Sequence, residues 1–161
     1  MLSLQAFQSS DLRELMSWFP DRDSCRVWGG PGFRHPFTET TFREDARVRE
    51  LASWSMVNGD VAFCAFGQYY LRLGRCHLGR LAVSPAMRGR GIGSALVRQL
   101  AERGLAEFGV DACSLFVLPS NERAARLYSR LGFVAQPYPE PAPLFEGCTY
   151  MVAPGLPLLR P

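Results

Sequence analysis

The chain has 161 residues, of which 47% are hydrophobic and 20% charged, and its formal net charge is +3. These values predict a soluble globular protein of one domain, and no apolar run reaches the roughly 18 residues that a membrane span needs. All 18 basic residues are arginine, which excludes a lysine-dependent phosphate loop and Schiff-base chemistry on a lysine side chain.

The five cysteines, at positions 25, 64, 76, 113 and 148, form no closely spaced pair. The spacing favours neither a disulfide framework nor a cysteine metal site, so we expect free thiols in a reducing compartment and no bound metal. The first residues lack the basic and apolar regions of a signal peptide, and we expect a cytoplasmic protein.

The first third of the chain alternates between strand, helix and loop signals. "LSLQAF" predicts a strand, and "SSDLRELMSWF" predicts a helix from its serine cap and apolar spacing. "PDRDSCRVWGGPGFRHPF" reads as an ordered loop or a broken helix, because it is rich in glycine and proline. "TETTFREDARVREL" predicts a second helix, capped by Thr38.

The next segments predict strands joined by tight turns. "SWSMV" and "VAFCAFGQYYL" flank an Asn58-Gly59-Asp60 turn, and Leu73-Gly74-Arg75 leads into a third strand, "CHLGRLAV". Asn-Gly between apolar runs is a strong hairpin signal, so these strands should be antiparallel neighbours.

The second half predicts one strand–helix–strand unit followed by a helix and closing strands. "SALVRQLAERGLAEFG" is an amphipathic helix, and "ACSLFVL" is a short apolar strand parallel to "CHLGRLAV". "NERAARLYSRLGF" predicts a helix capped at Ser120 or Asn121 and ended by Gly132. "VAQPY" and "CTYMVA" are closing strands, so we expect a mixed, mostly antiparallel α/β sheet with about four helices. We expect one domain over residues 1–153 and a C-terminal tail over residues 154–161.

A glycine-rich stretch, "RGRGIGSALV", joins the first strand of that unit to its helix. The first amides of a helix have no internal acceptor, and the helix dipole adds partial positive charge there. Glycines at alternate positions let the loop bring those amides close to an anion. Residues 61–161 also carry 11 arginines against 6 acids, whereas residues 1–60 carry 7 against 9. We therefore expect a diphosphate at this loop.

The glycine pattern taken alone allows three other interpretations. The dinucleotide fingerprint needs a third small residue in register, and this sequence does not meet that requirement. The ribose-binding acid should also lie at the end of the next strand, whereas Asp111 precedes that strand. Arginine-glycine RNA-binding segments are repetitive, and this motif occurs once. A surface turn that only enters a helix explains Gly-x-Gly equally well when the pattern stands alone.

Two longer motifs favour the diphosphate. "LAVSPAMRGRGIGSALV" resembles the acetyl-CoA signature of the GNAT superfamily of N-acetyltransferases, with Arg88, Gly91 and Gly93 at its defining positions. "NERAARLYSRLGF" resembles the second conserved motif of that family. Its matches are Asn121, Ala124, Leu127, Tyr128, Gly132 and Phe133.

The resemblance implies a GNAT fold and a cofactor site for acetyl-CoA. It assigns the cofactor arm to the backbone of Leu81, Ala82 and Val83, and to Asn121. It assigns the diphosphate to the loop that starts at Arg88. The loop residues are Arg88, Gly89, Arg90, Gly91, Ile92, Gly93 and Ser94, and Ala124 and Tyr128 complete the cofactor site. Tyr128 would donate a proton to the departing thiolate, although a lone tyrosine on a helix is more often a core residue.

A base is needed because the attacking amine must be neutral, whereas an alkylamine has a pKa near ~10. Many family members carry a glutamate where this sequence has His77. A histidine with an ordinary pKa near ~6.5 suits the task. Equal weight goes to a strand histidine with a satisfied hydrogen bond, and Tyr69, Tyr70, Glu146 or a water chain could serve instead.

The acceptor region of the family points to residues 25–42 of this chain. Trp28, Phe33 and Phe37 are candidates for an aromatic wall, with Tyr69 and Glu146 as further substrate candidates, although loop packing explains each aromatic singly. We expect direct acetyl transfer to a primary amine, either a small molecule or a protein amine. We expect no nucleic-acid or membrane partner, and a monomer or homodimer. A non-catalytic acyl-CoA sensor of the same fold is the main alternative.

Overall fold

A computed structural model of the protein describes residues 1–59, 62–139 and 147–160. Its seven strands form one sheet in the order β1-β2-β3-β4-β5-β7-β6. The strands are β1 Leu2–Ala6, β2 Ala52–Asn58, β3 Ala62–Arg72, β4 Arg75–Val83, β5 Ala112–Val117, β6 Val134–Gln136 and β7 Thr149–Pro154. The helices are α1 Leu12–Ser17, α2 Arg22–Gly29, α3 Glu39–Ala46, α4 Ile92–Phe108, α5 Glu122–Arg130 and α6 Gly155–Leu158.

The sheet is mixed, as the order of the elements predicted. β4 and β5 are parallel, with Cys76 opposite Cys113 and His77 opposite Ser114. β1 pairs antiparallel with β2, and β7 pairs antiparallel with both β5 and β6. These pairings agree with the mixed sheet that the resemblance implies, in which a parallel pair, β4 and β5, has antiparallel pairings on either side of it.

Two helices add to the four expected ones. α2 lies in the glycine- and proline-rich segment, and Asp21 caps it by accepting a hydrogen bond from the Ser24 amide at 2.7 Å. Of the two options for that segment, a broken helix is therefore the one that forms. α6 lies in residues expected to be a tail, and its Leu158 is buried.

The serine cap predicted for the first helix is wrong, because the 3-10 turn Ser9–Asp11 precedes α1 and its N-cap is Asp11, whose side chain makes no capping hydrogen bond. Two other predicted caps and one predicted turn are confirmed. Thr38 caps α3 through a hydrogen bond from the Thr41 amide, and Asn121 rather than Ser120 caps α5. Leu73 and Gly74 both have positive φ, at 51° and 73°, as a two-residue turn between right-twisted strands requires. Asp60, the last residue of the predicted Asn-Gly turn, lies outside the described residues.

The chain divides into two compact units, and strands β3 and β4 and helix α4 each contribute to both. The first unit comprises residues 1–68 and 80–96. Its core is aromatic: Trp28 stacks on Phe19 with ring centroids 4.2 Å apart, and Phe42 lies 5.5 Å from Trp28. This cluster holds the first three helices against the sheet residues of the unit.

The second unit comprises residues 69–79 and 97–161. Gly104 in the middle of α4 gives the helix its close approach to the sheet, since a Cβ at that position would overlap the Cys76 sulfur. Tyr69 packs beside the same glycine and has its ring edge-on to Phe108 at 5.8 Å. No helix in the described part of the chain has the length and apolar character to cross a membrane.

Candidate functional site

The glycine loop follows a 3-10 turn, Pro85–Met87, at the end of β4. Gly89 and Gly91 have φ angles of 79° and 77°, in the left-handed region that side chains other than glycine rarely adopt. Both residues are exposed, and a Cβ at Gly91 would meet no atom within 4 Å. The backbone conformation therefore favours glycine at both positions, and at Gly91 packing imposes no requirement.

Helix α4 begins directly after Gly91. The Ala95 amide donates to the Gly91 carbonyl at 3.2 Å, which is the first hydrogen bond of the helix ladder. The amides of the residues in between have no acceptor inside the helix, and the dipole of a 17-residue helix adds positive potential at this end. The arrangement presents a cluster of backbone donors to an anion.

Two arginines flank these donors. Arg88 and Arg90 are exposed, and the Arg90 guanidinium lies 3.6 Å from the Met87 sulfur. Within the described residues, neither arginine forms an ion pair with a carboxylate. Their charge is available to a diphosphate, which makes this loop fit the group that the sequence predicts.

The segment of β4 that leads into the loop belongs to the first unit. Leu81, Ala82 and Val83 are half-buried, and the Ser84 amide donates to the Cys64 carbonyl at 2.8 Å. The predicted cofactor-binding residues from Leu81 to Ser94 thus form one continuous stretch of strand, turn, loop and helix start.

The second motif lies in the second unit. The Asn121 side chain accepts a hydrogen bond from the Ala124 amide at 3.4 Å, which leaves its amide group to donate elsewhere. Tyr128 lies two turns further along α5, and its ring meets Phe133 edge-on at 6.0 Å. Its hydroxyl makes no hydrogen bond with any part of the chain that the structure describes. Burial raises the pKa of Tyr128 to about 12, so the hydroxyl keeps its proton at neutral pH.

His77 lies in the buried part of β4 and is 2% exposed. Its Nδ1 is hydrogen-bonded to the Ser114 hydroxyl at 2.8 Å, and its ring packs against Tyr70 and Phe116. Burial, helped by the positive charge of Arg72, lowers the pKa of His77 to about 3. The imidazole is therefore neutral at pH 7, and its proton affinity lies far below that of an alkylamine.

The three aromatic candidates for an acceptor wall belong to the core of the first unit. Phe33 is 2% exposed and lies edge-on to Phe42 at 5.3 Å, and Phe37 does the same at 5.0 Å. Trp28 donates through Nε1 to the Arg80 carbonyl at 2.8 Å. Packing accounts for each of them, which supports the structural alternative raised from the sequence.

The other acceptor and base candidates occupy different environments. Tyr69 is a buried residue of the second unit, whereas Tyr70 is half-buried beside His77. Glu146 lies outside the described residues.

Sequence reasoning missed Arg80, Gln68 and Ser114. Arg80 and Gln68 hydrogen-bond to each other at 3.1 Å, and Ser114 is the partner of His77. A signal for Arg80 existed, because strand alternation would place this charged residue on the same face as Cys76 and Leu78. Nothing local in the sequence marks the other two.

The sequence matches the model of one protein family over residues 12–133, and that model describes the acetyltransferase (GNAT) family. The match spans both motifs and most of the chain.

Solved structures of similar fold cover nearly the whole chain. A spermidine N-acetyltransferase from Vibrio cholerae, in complex with CoA and spermine, has a TM-score of 0.76 and 16% identity, with 99% of this chain and 98% of that chain covered. AAC(6')-Ib, in complex with ribostamycin and coenzyme A, has a TM-score of 0.76 and 21% identity, with coverage of 99% and 96%. The ribosomal-protein-S18-alanine N-acetyltransferase from Escherichia coli has a TM-score of 0.65 and 22% identity, with coverage of 96% and 94%.

Proposed function

The chain belongs to the acetyltransferase (GNAT) family, and we propose that it transfers the acetyl group of acetyl-CoA directly to a primary amine. One observation carries the proposal. Gly89 and Gly91, both left-handed, lead straight into the N-terminus of the 17-residue helix α4, beside two arginines that no carboxylate of the described chain neutralises.

The loop residues fit the diphosphate of the cofactor. The amides at the start of α4 would donate to its oxygens, and Arg88 and Arg90 would offset its negative charge. The backbone of Leu81–Val83 would hydrogen-bond the extended arm, as the family resemblance implies. When bound, acetyl-CoA supplies the acetyl group as a thioester, a form that an amine can attack.

Tyr128 is proposed as the acid of the reaction. Its raised pKa keeps a proton on the phenol oxygen, and its hydroxyl has no competing partner in the described chain. Such a group can protonate the thiolate that leaves when the amine nitrogen bonds to the acetyl carbon. Asn121, with Ala124 beside it, is proposed to hold the cofactor arm through its free amide group.

His77 as the base stays a prediction, and its environment supports the other interpretation. An imidazole with a pKa of about 3 has lost most of its capacity to take a proton from an ammonium group. The hydrogen bond to Ser114 further occupies Nδ1. We therefore favour one of the other predicted routes for the amine proton, through Tyr69, Tyr70, Glu146 or a water chain.

The acceptor is proposed to be a cationic amine. Residues 1–60 carry 9 acidic side chains against 7 arginines, and this part of the chain supplies the region that the resemblance assigns to the acceptor. Of the similar structures, one is named for spermidine, one is a complex with ribostamycin, and one is named for the alanine of a ribosomal protein. Those three chemistries define the first acceptors to try.

The test is thiol release from acetyl-CoA in the presence of spermidine, ribostamycin and a peptide with an N-terminal alanine. Release that depends on one of these amines, with the acetylated amine found by mass spectrometry, would support the transferase and name its acceptor class. Tight CoA binding without turnover on any amine would favour the sensor instead. Absence of CoA binding would contradict the proposal.

The cellular location and the oligomeric state of the enzyme are also proposals. All five cysteines are free, and four of them are buried. Free thiols are typical of a reducing compartment, which supports a cytoplasmic location. A monomer or a homodimer remains our expectation for the assembly.

A further inference from the structure

Arg80 lies inside strand β4 but has a left-handed backbone conformation. Its φ is 48°, whereas strands require strongly negative values. A non-glycine residue rarely adopts this region, because its Cβ crowds the backbone there, so contacts that hold the residue in place are needed to offset the strain. The contacts of Arg80 come from three other elements of the first unit.

The guanidinium joins β4 to the end of helix α3. Its Nη2 donates to the Asp45 carbonyl at 3.1 Å, and its Nη1 donates to the Gln68 side-chain oxygen at 3.1 Å. Gln68 is fully buried, and its amide donates to the Ala46 carbonyl at 2.7 Å and to the Ser53 hydroxyl at 2.9 Å. Both partners of the guanidinium are therefore fixed in place.

These bonds complete the C-terminus of α3. The last four carbonyls of a helix lack partners within it. Here the Arg47 and Val48 amides bond to the Arg43 and Glu44 carbonyls, and the remaining two carbonyls bond to Arg80 and Gln68. The charge of Arg80 also suits the negative end of the helix dipole.

The backbone of Arg80 is held from a second direction. Its carbonyl accepts a hydrogen bond from Trp28 Nε1 at 2.8 Å. The indole is itself fixed by stacking on Phe19 and Phe42. Side chain and main chain of Arg80 are thus tied to different helices, and the next three residues are Leu81, Ala82 and Val83.

We propose that Arg80 is a positioning residue, which fixes the backbone of Leu81–Val83 so that it can hydrogen-bond the pantetheine arm of acetyl-CoA. The inference rests on the proposed function, because it assumes that this backbone binds the arm. Loss of the guanidinium would release the left-handed conformation and displace the hydrogen-bonding groups. It would leave the glycine loop and its diphosphate contacts unchanged.

The test compares two ligands on the same protein by calorimetry: CoA, and adenosine 3′-phosphate 5′-diphosphate, which lacks the arm. Arg80→Met should raise the Kd of CoA about tenfold, the order expected for a few misplaced hydrogen bonds, and change the Kd of the truncated nucleotide less than about twofold. Arg47→Met is the matched control, because Arg47 is also left-handed, at φ 53°, but lies exposed at the end of α3. It should change neither Kd.

Trp28→Phe keeps an aromatic ring in the core and removes the bond to the Arg80 carbonyl together with part of the indole packing. It should raise the Kd of CoA about threefold or more without affecting the truncated nucleotide, and it decides the matter if Arg80→Met does not fold. An unchanged Kd of CoA in a folded variant would overturn the inference, as would an equal rise for both ligands. Failure of the wild type to bind CoA would instead overturn the proposed function.

Discussion

His77 and Ser114 face each other across the parallel strands β4 and β5, with Nδ1 of the histidine 2.8 Å from the serine hydroxyl. Both side chains are buried. The pair gives the imidazole one hydrogen bond in an otherwise aromatic environment of Tyr70 and Phe116. The protein therefore keeps this histidine uncharged while it is folded.

The protonation of His77 should make the stability depend on pH. The pKa of His77 is about 3 in the folded protein, whereas an unfolded chain has a value near ~6.5. Between these pH values the unfolded chain binds a proton that the folded protein does not, so the free energy of unfolding falls as the pH falls. Between pH 7 and pH 5 the wild type should lose about 2 kcal/mol more than His77→Gln.

Urea denaturation at the two pH values measures this difference. The comparison uses the change with pH within each protein, so any constant effect of the substitution cancels. Equal losses in wild type and His77→Gln would show that the folded histidine titrates normally.

Removal of the Tyr128 hydroxyl should affect chemistry and not cofactor binding. Tyr128→Phe keeps the ring that packs on Phe133 and loses only the proposed acid. We expect kcat to fall by about 10² to 10⁴, with the Kd of CoA changed less than about twofold. Tyr150→Phe is the control, since it removes a hydroxyl that accepts from Arg75 at 3.1 Å in the same unit. Steady-state thiol release would contradict the role of Tyr128 if both variants kept the wild-type kcat.

The contact of α4 with the sheet should be intolerant of one methyl group. Gly104→Ala would bring a Cβ into the Cys76 sulfur and to 3.3 Å from the Tyr69 ring. We expect a loss of about 1 to 3 kcal/mol in the free energy of unfolding, despite the better helix propensity of alanine. Cys76→Ala in the same chain should restore part of that loss. Additive effects in the double variant, measured by denaturation, would show that the two residues do not interact.

The aromatic core of the first unit should depend most on Phe42. This residue is fully buried and contacts the rings of Phe19, Trp28, Phe33 and Phe37. Phe42→Ala should cost about 3 to 5 kcal/mol, the usual range for a buried phenylalanine. Phe37→Ala, at a half-buried position of the same cluster, should cost clearly less. Thermal denaturation that ranked the two variants in the opposite order would contradict this description of the core.

Most of the fold could be predicted from local signals in the sequence. Thr38, Asn121 and the Leu73-Gly74 turn act through atoms a few residues away, so their roles could be deduced from short segments. Helix α2 was harder to predict from the sequence. The capping box of Asp21 and Ser24 indicates a helix, but the glycines and prolines that follow it indicate a loop. Leu158 was missed for a similar reason, since its burial depends on packing partners that a short apolar segment does not reveal.

The candidate site also contains residues that could be predicted from local sequence and residues that could not. The loop from Arg88 to Ser94 is local in sequence, and its function could be predicted from two motifs. Arg80 depends on partners 35 and 52 residues away, Asp45 and Trp28. No pattern in a single sequence indicates contacts between residues at such separations, so these contacts became known only from the hydrogen bonds in the structure. The environment of His77 likewise depends on Ser114, 37 residues away on the neighbouring strand.

The central claim is that the glycine loop holds the diphosphate of acetyl-CoA. Gly91→Ala and Gly109→Ala provide a matched pair: each glycine is exposed and left-handed, at φ 77° and 63°, with no atom within 4 Å of an added Cβ. Each substitution should cost a similar free energy of folding, about 1 kcal/mol, but only Gly91 lies in the loop.

The most direct measurement is the Kd of CoA for these two variants and the wild type by calorimetry. We predict that Gly91→Ala raises the Kd at least about tenfold, because the loop amides can no longer converge, whereas Gly109→Ala leaves it within about twofold of the wild type. Equal affinities in all three proteins would contradict the account.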